Sequence, residues 1–154
     1  MKKFFLLFAI TIAFVGASLA QNVLNNQADN IVGTYQSKQG EDLFKAKITK
    51  QANGNYQGQI IWVENDRDAN GNKMLDEKNP DKSLRSVPCD QIVLFSDLKY
   101  NAKDQRWDDT KIYDPQRGLR AKMHAEFTKD GKLKIKGTVL GIGETVYWDK
   151  IDSK

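Results

Sequence analysis

One twelve-residue segment, Asp66 to Glu77, carries side chains of the types and spacing found in calcium-binding loops. It fits the pattern D-x-[DN]-x-[DN]-G-x₅-E without a mismatch. In that pattern, oxygen atoms at positions 1, 3, 5, 7 and 12 surround the ion, and a glycine at position 6 permits the sharp turn. The predicted calcium ligands are Asp66, Asp68, Asn70, the backbone carbonyl of Asn72, and Glu77.

The surroundings of this segment favour a second interpretation, a polar loop without a metal. Lys73 stands at the eighth position, where such loops usually carry an apolar residue. The residues before the segment predict a strand, whereas the loops that the pattern describes lie between helices. Asp, Asn and Gly are also the residues that exposed turns prefer. The sequence leaves both interpretations open, and calcium is the one cofactor that it suggests.

The other reactive side chains do not assemble a catalytic set. His124, the only histidine, lies between Lys122 and Glu126 on the polar face of a predicted strand, so we expect it to face solvent. Cys89 is the only cysteine, which excludes an internal disulfide and predicts a small buried side chain. The sequence has no phosphate-binding loop, dinucleotide fingerprint or Cys/His metal cluster. We therefore expect a protein that is not an enzyme.

The first twenty residues are predicted to be a signal peptide. A cationic start, Met1–Lys3, precedes an apolar run from Phe4 to Val15, and Gly16–Ala20 supplies small residues for cleavage. The apolar run is shorter than the roughly 20 residues that a membrane helix needs, so we expect no membrane insertion after cleavage. Gln21 follows where a lipoprotein would need a cysteine. These features predict a periplasmic or secreted protein.

The charge of the chain is small once the signal peptide is set aside. The 154 residues carry 24 Lys and Arg against 20 Asp and Glu, a formal charge of +4, and Lys2 and Lys3 leave with the signal. This weak basicity gives no support to nucleic acid as a partner. Residues 21–30 are rich in Asn and Gln and are predicted to form a flexible lead-in. A single domain is expected over residues 31–154.

Alternating apolar and polar residues predict an all-β domain of about eight antiparallel strands. The clearest evidence surrounds Asp130-Gly131, a hairpin turn signal with period-two alternation in both arms, and Asn53-Gly54 marks another turn. Eight sequential strands can close into a barrel, which removes exposed edges. The strands are predicted at residues 31–37, 43–49, 56–64, 91–100, 106–113, 120–127, 132–139 and 144–151.

A long loop is predicted between the third and fourth strands, from Asn65 to Asp90, with one helical turn over Pro80–Leu84. Loops of this length in compact domains are usually functional. Inside the barrel, large side chains either fill a small core or line a cavity for one ligand. The side chains expected to share this interior are Tyr35, Phe44, Tyr56, Trp62 and Met123.

The same segments resemble an exported bacterial family, a domain of unknown function with a lipocalin-like (calycin) barrel. The resemblance covers nearly all of the chain after the signal peptide, and implies a barrel that holds a small, apolar ligand in the periplasm or outside the cell. Tyr35 and Lys150 stand where a Trp and an Arg close the barrel base in lipocalins, which implies a looser base. The resemblance is carried by Ile31-Val32-Gly33-Thr34-Tyr35, Gly58-Gln59-Ile60-Ile61-Trp62, Asn79-Pro80-Asp81 with Leu84-Arg85 and Pro88, Trp107, Ile112-Tyr113-Asp114-Pro115 with Gly118, Leu133-Lys134-Ile135-Lys136-Gly137, and Trp148-Asp149-Lys150.

Two functions are consistent with these observations. The first is a lipocalin-like protein that binds a small molecule inside the barrel. The alternative is a cell-envelope interaction module with a filled barrel, which docks a protein or a polysaccharide through its long acidic loop, with calcium as a possible requirement. For the first function the predicted ligand-binding residues are Trp62, Arg85, Tyr113, Tyr35 and Tyr56.

Overall fold

The computed structural model describes residues 23–151, which form a closed barrel of eight antiparallel strands. Each strand pairs with the next along the chain, and β1 pairs with β8 to complete the ring. The predicted eight-stranded all-β barrel is therefore confirmed, while the predicted signal peptide, residues 1–20, lies outside the described residues. The strands are β1 (Gly33–Gln39), β2 (Asp42–Lys50), β3 (Tyr56–Val63), β4 (Val93–Asn101), β5 (Arg106–Asp114), β6 (Leu119–Phe127), β7 (Leu133–Val139) and β8 (Ile142–Ile151).

Helical structure in the described residues is limited to short 3₁₀ turns. None of it forms a helix long and apolar enough to cross a membrane. The turn in the long loop covers Lys82–Leu84, and its cap is Asp81, whose side chain accepts a hydrogen bond from the Ser83 amide (2.9 Å). The 3₁₀ segments are Val23–Asn25, Ala28–Ile31, Lys82–Leu84 and Cys89–Gln91.

The two predicted hairpin turns have the backbone that their glycines allow. Gly54 and Gly131 have φ angles of 85° and 83°, a region that glycine enters without steric cost. These turns join β2 to β3 and β6 to β7, so both lie at the same end of the barrel. We call this the closed end and the opposite end the open end.

One irregularity in β3 changes which side chains face inward. Lys45 pairs with Trp62 but Ala46 pairs with Ile60, so Ile61 is an extra residue in the ladder. An extra residue reverses the inward and outward alternation beyond it. Trp62 is consequently 40% exposed on the outer surface, with the Lys45 ammonium 5.0 Å from its ring centroid. The prediction that Trp62 lies inside the barrel is wrong.

The four other side chains expected in the interior are all buried, and they belong to a continuous core: Tyr35, Phe44, Tyr56 and Met123. At mid-barrel, the Trp148 ring contacts Tyr35 (6.1 Å between centroids), Phe44 (5.7 Å) and Phe95 (6.5 Å). Toward the closed end, the Trp107 ring contacts Tyr100 and Phe127. Aromatic side chains therefore fill the closed half of the barrel.

The segment before β1 covers the closed end. Residues 23–30, predicted from composition to be flexible, instead form 3₁₀ turns packed against the barrel. Buried Asn25 both donates to the Phe127 carbonyl (2.9 Å) and accepts from the Phe127 amide (2.7 Å). The carbonyl oxygens of this segment accept hydrogen bonds from Trp107 and Tyr100 (3.0 and 2.7 Å). Composition did not reveal this role because the segment is held by polar contacts rather than by apolar periodicity.

Candidate functional site

A cavity of about 490 Å³ occupies the open half of the barrel. Its floor is the Trp148 ring, and its walls come from the inward faces of β2 to β8. This volume lies within the roughly 300–1,000 Å³ range of small-molecule pockets. The apolar lining residues include Phe44, Ile60, Leu94, Ile112, Pro115, Leu119, Ala121, Ile135, Gly137, Val139, Leu140, Ile142, Val146 and Trp148.

The cavity exists because two neighbouring strands present small residues inward. Gly137 on β7 pairs with Met123 on β6 and is the diagonal neighbour of Ala121, so a Cβ atom at Gly137 would lie 3.2 Å from the Ala121 Cβ. The corresponding inward positions nearer the closed end carry Phe127 and Leu133, which are buried. The size of the inward side chain therefore decides which half of the barrel is filled.

The turn between β5 and β6, residues 115–118, lies over the cavity and contacts strands on both sides. The Gln116 side chain donates to the Gln39 carbonyl (3.3 Å), and the Gln39 side chain donates to the Asp114 carboxylate (3.1 Å). On the other side, the Arg117 guanidinium donates to the Glu144 carboxylate on β8 (2.9 Å) and pairs with Asp114 (3.1 Å). The turn is therefore held to β1 and to β8 at once.

The cavity is open to solvent along the seam between β1 and β8. These strands pair only through Thr34–Gln36 with Asp149–Ile151. Beyond these residues, the Ser37 hydroxyl donates to the Tyr147 carbonyl (2.9 Å). Val146 lines the cavity and is nevertheless 41% exposed. An apolar side chain on an inner wall that meets water marks an opening beside it.

Charges at the rim of the cavity balance one another. The hydrogen bond from Arg117 holds the pKa of the Glu144 carboxyl below its ordinary value of 4.5. Lys38, on β1, is exposed at the rim, and its ammonium group makes no hydrogen bond or ion pair with other described residues. The walls are therefore mainly apolar, and the charged side chains, including Glu144 on the inward face of β8, lie where the cavity meets solvent.

The long loop is fastened to the outside of the barrel through Tyr113. Tyr113 pairs with Arg120, so its ring faces away from the interior, and the Arg120 guanidinium lies 5.0 Å from the ring centroid. Its hydroxyl donates to the buried Asp76 carboxylate (2.7 Å), whose other oxygen accepts from the Asn79 amide (2.7 Å). Burial, followed by the contact with Asp76, raises the pKa of Tyr113.

A glycine allows the second contact between the long loop and the barrel. Gly118 has a φ angle of 65°, and a Cβ atom there would lie 2.2 Å from the Lys78 carbonyl oxygen. Only glycine allows this approach. The long loop and the β5–β6 turn therefore contact each other directly.

The predicted ligand-binding residues are dispersed over the molecule. Tyr113 borders the cavity, although its hydroxyl points into the long loop. Tyr35 and Tyr56 lie toward the closed end, where their hydroxyls donate to the Ile31 carbonyl (2.7 Å) and to the Asp29 carboxylate (2.5 Å). Arg85 is exposed in the long loop, where it donates to the Asn79 carbonyl (2.8 Å). Trp62 lies on the outer surface, as described above.

Tyr35 and Lys150, the pair expected at the base of the barrel, contact each other. The two residues pair across β1 and β8, and the Lys150 ammonium lies 5.8 Å from the Tyr35 ring centroid. The same ammonium donates to the Asn30 carbonyl (2.8 Å). Burial raises the pKa of the Tyr35 hydroxyl, which keeps it protonated as a donor.

The segment with the calcium pattern is organised by internal hydrogen bonds. One Asp68 carboxylate oxygen accepts from the amides of Asn70 and Asn72 (both 2.9 Å), and the Asn72 carbonyl accepts from the Asp68 amide (2.9 Å). Asp66 forms an ion pair with Lys73. Among residues 23–151, no three His, Cys, Asp or Glu side chains are placed to hold a metal ion. Calcium binding by this segment stays a prediction.

The residues that sequence reasoning missed are the inward apolar side chains of the open half. The sequence feature that could have identified them is the alternation of apolar and polar residues, followed to the hairpin tip between β7 and β8. The alternation identifies inward positions, but the contrast in size between Gly137 and Phe127 had to be compared across strands to find the cavity.

Comparison with known proteins supports the same fold. A solved structure titled "Protein HP1028 from the human pathogen Helicobacter pylori belongs to the lipocalin family" superposes with a TM-score of 0.61 at 22% identity, covering 79% of this chain and 82% of that chain. No curated protein sequence matches the chain. Residues 33–150 match the family described as "Uncharacterized protein conserved in bacteria (DUF2147)", and the chain belongs to this family.

Proposed function

We propose that this protein is an exported binding protein that holds a small, apolar molecule in the open half of its barrel. The observation that carries the proposal is the cavity of about 490 Å³, with mainly apolar walls and charged side chains where it meets solvent. A ligand with an apolar body would bury its surface on these walls, at roughly 25 cal/mol for each Å² removed from water. The signal peptide pattern at residues 1–20 supports export.

The proposal includes no reaction. His124 lies on the outward side of β6, opposite Lys136, and so does not face the cavity. The polar lining groups described above are amides, carboxylates, a lysine and an arginine, without a hydroxyl or thiol nucleophile beside a base. The alternative of a filled interaction module has less support, because the open half of the barrel is hollow.

The test compares two substitutions on β8 that differ in the face they occupy. Val146 lines the cavity, whereas Tyr147 is half exposed on the outer face of the same strand. With N-phenyl-1-naphthylamine as a neutral apolar probe, we expect Val146→Trp to weaken binding at least tenfold, because the indole fills the space that the probe needs. Tyr147→Trp should bind the probe like the unsubstituted protein.

Native mass spectrometry of the protein isolated from its own host complements this titration. A bound mass that is present in the unsubstituted protein and missing from Val146→Trp would support a carrier. Equal probe binding by all three proteins, or a clean unliganded mass in every preparation, would contradict the proposal.

A further inference from the structure

The hairpin between β7 and β8 ends in an exposed apolar tip, formed by Val139, Leu140 and Ile142. Leu140 is 98% exposed and Ile142 is 77% exposed. Large apolar side chains grouped at one protruding point often mark a contact surface. The tip also borders the cavity, since all three residues contribute to its lining.

The backbone of this tip is unfavourable for leucine. Val139 pairs with Ile142, so Leu140 and Gly141 form a two-residue turn, and their φ angles are 48° and 83°. Turns with two positive φ angles suit Asn-Gly far better than Leu-Gly, because the leucine Cβ crowds the backbone there. An exposed leucine in a strained position indicates a role outside the folding of the hairpin.

A cationic surface lies next to the apolar tip. Lys111, Lys122 and Lys136 are exposed on the outer face of β5, β6 and β7. Lys111 and Lys122 are direct cross-strand neighbours, a destabilising arrangement for like charges. The Lys136 side chain lies against Gly143, the residue that follows Ile142 of the tip. None of the three side-chain ammonium groups makes a hydrogen bond or ion pair with the described residues. An anionic surface would relieve this repulsion.

We propose that the apolar tip and these three lysines dock the protein on an anionic lipid bilayer. The tip would insert its leucine and isoleucine among the acyl chains while the lysines contact the headgroups, which is the usual division of roles in peripheral membrane binding. Three side chains are too few for a stable protein interface, which buries about 1,200–2,000 Å². A bilayer needs no such area, and docking there brings the cavity rim to the apolar phase.

The first test uses a substitution that weakens the contact without weakening the fold. Asn tolerates a positive φ better than Leu, so Leu140→Asn should keep or raise the melting temperature. In flotation with vesicles of equal parts phosphatidylglycerol and phosphatidylcholine, we expect the unsubstituted protein to bind and Leu140→Asn to bind at least tenfold more weakly. Pure phosphatidylcholine vesicles should bind less than the mixed vesicles, and added salt should weaken the binding.

The second test addresses the lysines. Lys122→Gln and Lys136→Gln should each weaken vesicle binding about fivefold, the effect of removing one basic residue near an anionic surface. Lys47→Gln is the matched control, because Lys47 is exposed on the outer face of β2, away from the tip. Absence of binding to either vesicle, or binding unchanged in Leu140→Asn, would overturn the proposal. A protein dimer that Leu140→Asn dissociates would also overturn it, in favour of a second copy as the occupant.

These tests are independent of the proposed function. Vesicle binding is measured without any probe in the cavity, whereas the Val146→Trp titration is measured without lipid. Bilayer docking with no binding of N-phenyl-1-naphthylamine would remove the carrier function and keep this inference, and the reverse result would do the opposite.

Discussion

The two halves of this barrel share the same strand alternation, but one is filled with side chains and the other is hollow. In the closed half, Trp107, Phe127 and Tyr100 fill the interior, and Trp107 and Tyr100 also bind the segment before β1 through their polar atoms. In the open half, Ala121 and Gly137 leave a cavity. Binary alternation therefore determines that a barrel forms, and side-chain volume determines whether it is solid or hollow.

The polar contacts differ between the halves in the same way. At the closed end, the amide side chain of buried Asn25 exchanges two hydrogen bonds with the Phe127 backbone. At the open end, Arg117 and Glu144 are more than half exposed, and solvent screens their ion pair. We therefore expect the closed half to supply most of the stability of the barrel and the open half to be the more mobile.

The largest effect on the free energy of unfolding is expected for an aromatic residue of the closed half, compared with a residue of the exposed tip. Trp107→Ala should lower the free energy of unfolding by about 3–5 kcal/mol, because it leaves a large cavity and removes the bond to the Ala28 carbonyl. Ile142→Ala, at an exposed position, should change it by less than about 0.5 kcal/mol. Urea denaturation measures both. Similar losses in the two variants would show that the halves do not differ in stability.

The next largest effect concerns the outer attachment of the long loop. Asp76→Ala should cost about 2–3 kcal/mol, because the buried Tyr113 hydroxyl and the Asn79 amide each lose their carboxylate partner. Glu77→Ala is the matched control, since this neighbouring carboxylate is exposed and should leave the free energy of unfolding unchanged. Thermal denaturation of both variants measures the difference. Equal melting temperatures would mean that the loop is held by other contacts.

A smaller effect is expected at the clamp between Arg117 and Glu144. Glu144→Gln should leave stability unchanged, because both side chains are largely exposed, but it should accelerate entry of N-phenyl-1-naphthylamine in stopped-flow experiments. The pKa of Glu144 is lowered, so the ion pair is intact above 4.5 and is lost as the pH falls through the lowered pKa. Entry should therefore accelerate at acid pH in the unsubstituted protein only. If neither Glu144→Gln nor acid pH altered the rate of probe entry, a gating role for the ion pair would be contradicted.

The smallest effect involves His124. Burial, and then the charge of Arg106, lowers its pKa below the ordinary 6.5. The unfolded chain therefore binds a proton at a higher pH than the folded protein, so stability decreases as the pH falls through 6.5 toward the lowered pKa. His124→Gln should flatten this part of the pH–stability curve without altering probe binding. An identical slope in the variant would assign the pH dependence to other groups.

Sequence reasoning predicted the strands well because a period of two is clear in segments such as β6 and β7 and turn residues separate the others. It misplaced Trp62 because a bulge adds one residue to the β3 ladder, and nothing in the composition of Ile60–Trp62 marks that addition. A single extra residue reverses the facing of everything beyond it. Element boundaries were therefore accessible from the sequence, whereas the facing of individual side chains near a bulge was not.

The candidate site was harder to predict for a different reason. Asp76 and Asn79 have the composition of an exposed turn, yet both are buried because Tyr113 lies beneath the loop. A cavity is likewise space that side chains leave unfilled, and small residues such as Gly137 form no sequence pattern that would predict it. Both features depend on contacts between segments that are distant along the chain, which a single sequence does not specify.

The short pairing of β1 with β8 has a consequence for how the chain folds. All the other strand pairs join strands that are consecutive in sequence, so most of the sheet can form through local hairpins. Closure instead joins Thr34 to Ile151 across almost the whole domain and is supported by three residue pairs. The entropic cost of loop closure is concentrated in that one step. An open meander is therefore the expected late folding intermediate, and refolding should be slowest where the first and last strands meet.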